Sequence, residues 1–217
     1  MSDLATVRDR IAASARLARR SLADIHLIAV SKTRNAEQIE PLIAAGQRDF
    51  GESRVQEAAT KWPTLRAACP DLRLHMIGQL QSNKAAEAVA LFDVIHSLDR
   101  RSLLDALSVA ATKADRFPAC FVQVNVGEEA QKGGVSPADL GTFLTAVRAS
   151  PLPLAGLMCI PPADLEPAPF FAFLNELARR HDVVGGSGGL SMGMSADYEI
   201  AVKLGATHVR VGSALFD

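Results

Sequence analysis

The alternation of short β-forming runs with longer segments of helical periodicity constrains the fold of this chain more than any other feature. Eight strand-then-helix units follow one another in 217 residues. Each takes about 27 residues, which is enough for a compact βα repeat. Repeated βα units predict a parallel sheet. We therefore expect an α/β fold, a single (β/α)8 TIM barrel with an N-terminal helix at about residues 3–21. A doubly wound open sheet is the alternative.

The apolar runs predict the strands, and punctuating residues predict several helix starts. The fifth run is the clearest, because it reads Phe, Val, Gln, Val, Asn, Val and is dense in β-formers. Asp99 is the expected N-cap of a helix that reaches residue 114. Another helix is expected to begin at Ser136, and Ser195 is expected to cap one that ends near residue 205. The predicted strands cover residues 26–30, 49–50, 72–77, 93–97, 119–126, 154–160, 190–192 and 208–211.

Composition excludes several classes of protein. The net charge is −1 and 48% of the residues are hydrophobic, so neither dominant disorder nor a basic nucleic-acid-binding surface is expected. No apolar run approaches the ~20 residues that span a bilayer, and the first residues lack the apolar segment of a secretory signal. The 3 cysteines are far apart, which fits a reducing compartment. We expect a cytoplasmic protein with one domain, residues 1–217.

Lys32 is the first candidate for chemistry, because it stands at the end of the first predicted strand. In TIM barrels the reactive groups lie where strands end and helices begin. A lysine after a strand of Leu, Ile, Ala and Val is expected to point into the barrel mouth, where desolvation lowers the pKa of its ammonium group. Such an amine can form a Schiff base. The alternative is an ordinary strand-end lysine that emerges into solvent.

Two loops near the end of the chain share a pattern of glycine and serine. Gly193 and Ser195 follow the seventh predicted strand, and Gly212 and Ser213 follow the eighth. Barrels commonly bind phosphate in these two loops, through backbone N–H groups and a helix N-terminus. Helix capping by serine is the other explanation, but the two loops together favour a phosphate site.

Three polar residues stand among apolar neighbours in the predicted strands. Arg210 shares a face with Gly212, and an inward arginine needs a partner, either a carboxylate or a ring nitrogen of a bound cofactor. Asn125 either reaches the barrel mouth or forms a turn before Gly127. A lone strand histidine such as His75 is usually a hydrogen-bonded structural residue. The 5 histidines have no ligand-like spacing, so no metal site is expected.

A set of motifs spreads over almost the whole chain. They read AVSKT at 29–33, FGE at 50–52, VQE at 55–57, HMIG at 75–78, LQSNK at 80–84, GLM at 156–158, LSMGMS at 190–195 and VRVG at 209–212. With these motifs the chain resembles the pyridoxal phosphate homeostasis proteins. That group is related in fold to the N-terminal barrel of alanine racemase, fold type III of the enzymes that use pyridoxal phosphate.

The resemblance implies a cofactor and a set of residues that hold it. Lys32 is implied to form the Schiff base with pyridoxal 5′-phosphate, and Arg210 to face its pyridine nitrogen. The two strand-end loops are implied to hold the phosphate through Ser195, Gly212 and Ser213. The residues expected to contact the cofactor are Lys32, His75, Asn125, Met192, Ser195, Arg210, Gly212 and Ser213.

The chain also departs from the pattern of this family. Ser53 and Arg54 stand where Asn-Tyr is common, so this chain has no such asparagine to contact the cofactor. Gln79 stands where proline is frequent, and Ala214 replaces a hydroxyl residue of some members.

The resemblance implies a protein that holds, buffers or delivers pyridoxal phosphate, affects amino-acid and keto-acid balance, and has no catalysis of its own. Its expected partners are the cofactor and the apoenzymes that use it, without nucleic acid or membrane, and we expect a monomer. The alternative is a racemase or related Schiff-base enzyme using Lys32. Racemisation needs acid–base groups on both faces of the substrate, and the only tyrosine, Tyr198, falls in a helix after the seventh strand. A lysine-dependent aldolase without cofactor is a remote third hypothesis.

Overall fold

Eight parallel strands close into a barrel in chain order in the computed structural model, which describes residues 3–183 and 188–216. Each strand pairs with the next, and the last pairs with the first, with His26 opposite His208 and Ala29 opposite Val211. The predicted barrel is therefore confirmed, and the open sheet is excluded. The strands are β1 His26–Val30, β2 Asp49–Glu52, β3 Arg73–Met76, β4 Val94–Leu98, β5 Ala119–Gln123, β6 Leu154–Met158, β7 Gly189–Ser191 and β8 His208–Val211.

Helices follow the strands and cover the barrel. They are α1 Asp3–Leu17, α2 Ala36–Ala44, α3 Val55–Ala68, α4 Ala85–Leu91, α5 Arg101–Ala114, α6 Leu140–Arg148, α7 Ala168–Arg180, α8 Tyr198–Lys203 and α9 Ser213–Phe216. The apolar face of α1 packs against α8 and α9. This helix is shorter than predicted because Arg19 takes a left-handed conformation, φ 54°, just beyond its end. Within the described residues, no helix has the length and apolar character needed to span a membrane.

Two predicted helix starts are wrong by a few residues, because the expected capping side chains have other partners. Asp99 accepts a hydrogen bond from the Arg100 side chain at 2.7 Å, and α5 begins at Arg101 without a side-chain cap. Ser136 Oγ accepts from the Asp139 N–H at 3.1 Å. That bond closes a turn ahead of α6, which starts only at Leu140.

Apolar side chains fill the layer between the barrel and its helices. Trp62 of α3 is fully buried there, with its ring centroid 5.2 Å from that of Phe50 in β2. Its indole N–H donates to Glu52 Oε1 at 3.0 Å, which satisfies the one polar atom of a large buried ring. This packing fixes α3 on the outside of β2.

The barrel interior contains polar side chains beside apolar ones such as Phe121, whose ring stacks on His96 with the centroids 4.5 Å apart. His96 of β4 contacts Ser191 of β7 and lies 6.0 Å, between ring centroids, from His208 of β8. Strands β7 and β8 are not neighbours of β4, so these contacts form through the interior. Because buried polar groups are costly unless hydrogen-bonded, the interior side chains must satisfy one another.

Candidate functional site

Lys32 stands at the carboxyl end of the barrel, two residues beyond the end of β1. Its side chain is exposed, so the alternative of a strand-end lysine that emerges into solvent is confirmed and the hypothesis of a desolvated lysine is wrong. The reason is local: the chain leaves the barrel wall after Ser31 and turns through Thr33, whose φ is 63°. The Thr33 N–H donates to Glu57 Oε1 at 2.5 Å and holds this turn against α3. The amine is therefore accessible to a small molecule.

The loops after β7 and β8 meet at the same end of the barrel. Ser195 Oγ accepts a hydrogen bond from the Gly212 N–H at 3.1 Å. The prediction that Ser195 caps the following helix is wrong, because its hydroxyl is used across the two loops and α8 begins only at Tyr198. A Cβ on Gly212 would lie 3.3 Å from Val30 Cβ, so glycine lets this loop lie flat against β1. Ser213 follows as the exposed first residue of α9.

The second glycine of this pair of loops is required by its conformation. Gly193 has φ 93°, where side chains are rarely tolerated. A Cβ there would lie 2.5 Å from Ala201 Cβ of α8. The loop that carries Ser195 can therefore pack directly on the helix that follows it.

Arg210 of β8 is the buried cation beside these loops, with 4% of its surface exposed. One guanidinium nitrogen donates to Ser191 Oγ at 2.6 Å and another to the Cys159 carbonyl oxygen at 2.9 Å. Burial lowers the pKa of this guanidinium, but an arginine stays charged near neutral pH. The expected inward orientation is confirmed. Among the described residues, however, no carboxylate forms an ion pair with Arg210, and its partners there are neutral.

A chain of hydrogen bonds continues from Arg210 through the barrel interior. His96 Nδ1 lies 2.8 Å from Ser191 Oγ, and His96 Nε2 lies 3.0 Å from His75 Nδ1. His75 Nε2 lies 2.9 Å from Asp49 Oδ1. We call these five residues, Arg210, Ser191, His96, His75 and Asp49, the interior chain. It joins five strands and connects the two ends of the barrel.

Asp49 ends the interior chain at the amino-terminal end of the barrel. It pairs with Arg73, whose Nε lies 2.8 Å from Asp49 Oδ1. Burial alone would raise the pKa of the Asp49 carboxyl, but hydrogen bonds from His75 and Arg73 outweigh burial and hold that pKa at about 2. Asp49 also lines a cavity of about 270 Å³ at this end. The carboxylate is thus ionised at neutral pH and within reach of solvent.

The remaining candidates for cofactor contact lie away from open space or use their polar atoms elsewhere. Asn125 Nδ2 donates to the Glu129 carbonyl at 2.8 Å, and its Oδ1 accepts from the Glu129 N–H at 3.2 Å. The side chain therefore stabilises its own loop, as the turn hypothesis expects. Met192 is fully buried in the core. His75 is 1% exposed and points toward Asp49 at the opposite end of the barrel.

Sequence reasoning missed three members of the interior chain. Asp49, His96 and Ser191 each stood in or beside a predicted strand, but none was singled out. A signal was available, because His75 and His96 both interrupt apolar β runs. Polar residues inside strands point to a polar barrel interior.

Tyr198 and the metal-ligating residue types complete the description. Tyr198 is buried in the first turn of α8, where its hydroxyl is hydrogen-bonded by Arg10 of α1. Its side chain therefore lies between α8 and α1, outside the barrel.

Within residues 3–183 and 188–216, no group of three or more His, Cys, Asp or Glu residues could hold a metal ion.

Comparison with known proteins places this barrel among relatives of similar length. The sequence profile described as "Alanine racemase, N-terminal domain" matches residues 3–217. The chain is 42% identical over 226 residues to the pyridoxal phosphate homeostasis protein of Pseudomonas aeruginosa, an alignment that covers 99% of this chain and 93% of that protein. It is 39% identical to PipY of Synechococcus elongatus, whose structure was solved with pyridoxal phosphate bound. The TM-score is 0.82, with 97% of this chain and 100% of that chain covered.

A more distant likeness concerns the fold alone. Alanine racemase from Corynebacterium glutamicum is 19% identical with a TM-score of 0.65. The match covers 95% of this chain but 60% of the racemase chain. The shared part of the two proteins is therefore the barrel.

Proposed function

This chain belongs to the alanine racemase N-terminal-domain family and, within it, to the pyridoxal phosphate homeostasis proteins, and we therefore propose that it binds pyridoxal 5′-phosphate at the carboxyl end of its barrel. In this proposal it holds, buffers or delivers the cofactor and does not use it in catalysis. The observation that carries the proposal is the 3.1 Å hydrogen bond between Ser195 Oγ and the Gly212 N–H. It joins the two loops in which barrels commonly bind phosphate.

The residues at this end fit the cofactor by the chemistry of their donors. Ser195 accepts from the Gly212 N–H but keeps its own hydroxyl proton, so Ser195 and Ser213 can offer hydroxyls to a phosphate. Gly212 can offer its backbone N–H once the phosphate replaces Ser195 as the acceptor. Lys32 follows β1, which is paired with β8, so its exposed amine lies at the same side of the barrel end. When bound, pyridoxal phosphate supplies an aldehyde for this amine and a ring that withdraws electrons.

Arg210 supports holding the cofactor over using it. In this proposal its guanidinium faces the pyridine nitrogen, and because arginine stays cationic it disfavours a proton on that nitrogen. A ring that stays unprotonated there is a weaker electron sink. The buried arginine thus orients the cofactor while limiting the chemistry it can support.

Replacement of Lys32 tests the binding mode. With pyridoxal phosphate added, the wild-type protein should gain visible absorbance from the lysine-bound cofactor. Borohydride should then add hydride across the C=N bond and leave a stable secondary amine on the peptide that contains Lys32. Lys32→Ala should show neither signal, because the amine is gone. Lys113→Ala removes an exposed lysine of α5 and should behave as wild type. Undiminished absorbance in Lys32→Ala would contradict the proposal.

A racemase is the second candidate, favoured by the shared fold and by Lys32. It would need an acid–base group on each face of the substrate, and Tyr198 is buried in the first turn of α8 with Arg10 of α1 beside its hydroxyl. Holoprotein incubated with L-alanine in deuterated water should therefore exchange the α-proton no faster than free pyridoxal phosphate at equal concentration. Exchange or racemisation at catalytic rates would favour the racemase.

The wider setting of the protein is part of the same proposal. We expect residues 1–217 to form one domain that works as a cytoplasmic monomer. Cys69, Cys120 and Cys159 are free thiols, which fits a reducing compartment. Apoenzymes that require pyridoxal phosphate are the proposed recipients of the cofactor.

A further inference from the structure

The two ends of the interior chain have a fixed hydrogen-bond polarity. Arg210 can only donate, because a guanidinium carries no acceptor. Asp49 is ionised at neutral pH, so its carboxylate can only accept. Three side chains lie between these ends, at successive separations of 2.6, 2.8, 3.0 and 2.9 Å from Arg210 to Asp49.

The proton positions between the ends follow by elimination. Among the described residues, Arg210 and His96 are the partners of Ser191 Oγ, and Arg210 is a donor, so the single hydroxyl proton goes to His96 Nδ1. His96 is fully buried and burial lowers its pKa well below the ordinary value, so the ring is neutral and carries its proton on Nε2. That proton is donated to His75 Nδ1, and the His75 Nε2–H is donated to Asp49. The opposite direction would leave the Ser191 hydroxyl proton without an acceptor in the part of the chain that the structure describes.

All the donors of the interior chain therefore point from Arg210 toward Asp49. Hydrogen bonds aligned in this way polarise one another in a low-dielectric interior. The charge of Arg210 has a hydroxyl and a carbonyl as its direct partners. Burial lowers the pKa of Arg210, whereas Asp197, which forms no ion pair with it, acts through space and raises that pKa. Along the interior chain the first carboxylate is Asp49, at the far end.

We propose that Asp49, His75, His96 and Ser191 are positioning residues that hold Arg210 in the orientation required by the cofactor ring. The inference rests on the proposed function for the role of Arg210. It adds that the amino-terminal end of the barrel sets the geometry of a site at the carboxyl end. No member of the interior chain other than Arg210 needs to touch the cofactor.

Asp49→Asn tests whether the carboxylate at the far end of the interior chain matters to Arg210. Oδ1 accepts from both His75 Nε2 and Arg73 Nε, so the amide oxygen should take that position and the charge is lost while the direction of the hydrogen bonds is kept. Long-range 1H–15N NMR of the cofactor-free protein should show His75 and His96 as Nε2–H forms in both the wild type and Asp49→Asn.

The matched control is Asp71→Asn. Asp71 also pairs with an arginine, Arg48, but it is largely exposed and lies outside the interior chain. This variant should keep the wild-type histidine forms. An Nδ1–H form of His96 in the wild type would overturn the assigned direction.

Ser191→Ala interrupts the hydrogen bonds of the interior chain at the end next to Arg210. It removes the acceptor of Arg210 but leaves Asp49 in place, so the histidine forms should not change. Affinity for pyridoxal phosphate should fall about threefold to tenfold in both Ser191→Ala and Asp49→Asn, the range typical of residues that act through a network. Asp71→Asn should bind as wild type.

The two readouts separate the possible failures. A wild-type protein that does not bind pyridoxal phosphate would refute the proposed function and with it the positioning role, while the NMR result would still decide the direction of the chain. Normal affinity in both Ser191→Ala and Asp49→Asn, alongside a wild type that binds, would refute the positioning role alone.

Discussion

Lys61 of α3 holds the turn that carries Lys32. Its side chain is 10% exposed, and its ammonium group donates to the carbonyl oxygens of Ser31 at 2.8 Å and Arg34 at 2.9 Å. It also pairs with Glu52 Oε1 at 2.9 Å. The backbone on both sides of Lys32 is thus tied to one buried charge, which leaves the reactive amine free while fixing its attachment.

Lys61→Met should destabilise the fold by about 3–5 kcal/mol, the cost of removing one partner from a buried ion pair. Glu52 is fully buried, and its Oε2 has no hydrogen-bond partner in the part of the chain that the structure describes. Loss of Lys61 would leave that carboxylate without its cation. Urea unfolding should measure the loss, with Lys203→Met on the exposed side of α8 as control. A change below about 1 kcal/mol would show that Lys61 contributes little.

Individual residues also mark the limit of prediction for the site. The sequence motifs led to Lys32, Ser195, Arg210, Gly212 and Ser213, which the structure brings to one side of the barrel. Exposure could not be predicted in the same way, because it depends on the direction of the chain beyond the strand end. For this reason the sequence left two hypotheses open for Lys32, desolvation in the barrel mouth and emergence into solvent, and the structure shows the second.

Strands were predicted more accurately than helix starts. The predicted bounds of β1 and β8 agree with the structure, because an apolar run ends where burial ends. Helix caps depend on one hydrogen bond, and a serine can form that bond with distant backbone. Ser195 does so with Gly212, 17 residues along the chain. Local sequence does not reveal such a competitor.

The fifth strand illustrates how a loop can shorten an element. Its predicted range, 119–126, exceeds the observed β5 by three residues. Beyond β5 the chain pairs with its own loop: Val124 forms a bridge with Val135, and the Asn125 N–H donates to the Val135 carbonyl at 2.9 Å. The last residues of the predicted strand do form strand-like backbone pairing, but they pair with the loop that follows them instead of with a neighbouring strand of the barrel.

The histidine-rich interior makes the stability of the whole molecule sensitive to acid. Burial, followed by the charges of His75 and His26, lowers the pKa of His208 to about 3. Burial also lowers the pKa of His96 well below its ordinary value. Both rings are neutral in the folded protein, whereas the unfolded chain takes up protons below about pH 6.5. The unfolded state therefore gains protons first, and stability must fall as the pH falls.

We expect each of these histidines to cost about 1.4 kcal/mol of unfolding free energy per pH unit below pH 6.5, down to the folded pKa. For His208 that window extends to about pH 3. Urea unfolding at intervals between pH 7 and 4.5 measures the slope. His208→Gln should reduce it by one proton, and His181→Gln, outside the interior, should not. A slope that is unchanged in His208→Gln would contradict the prediction.

The sequence by itself determined the fold class and the end of the barrel at which Lys32 and the two glycine–serine loops lie. Periodicity is local, and parallel strands place their carboxyl ends together whatever the loops contain. Only the tertiary structure decided the polar interior. His96 and Ser191 are 95 residues apart, and neither has a local partner that predicts the other. Closure of the barrel brings the five strands that carry the interior chain around one axis. Because burying unpaired polar groups is costly, their side chains then form the hydrogen bonds that run from Arg210 to Asp49.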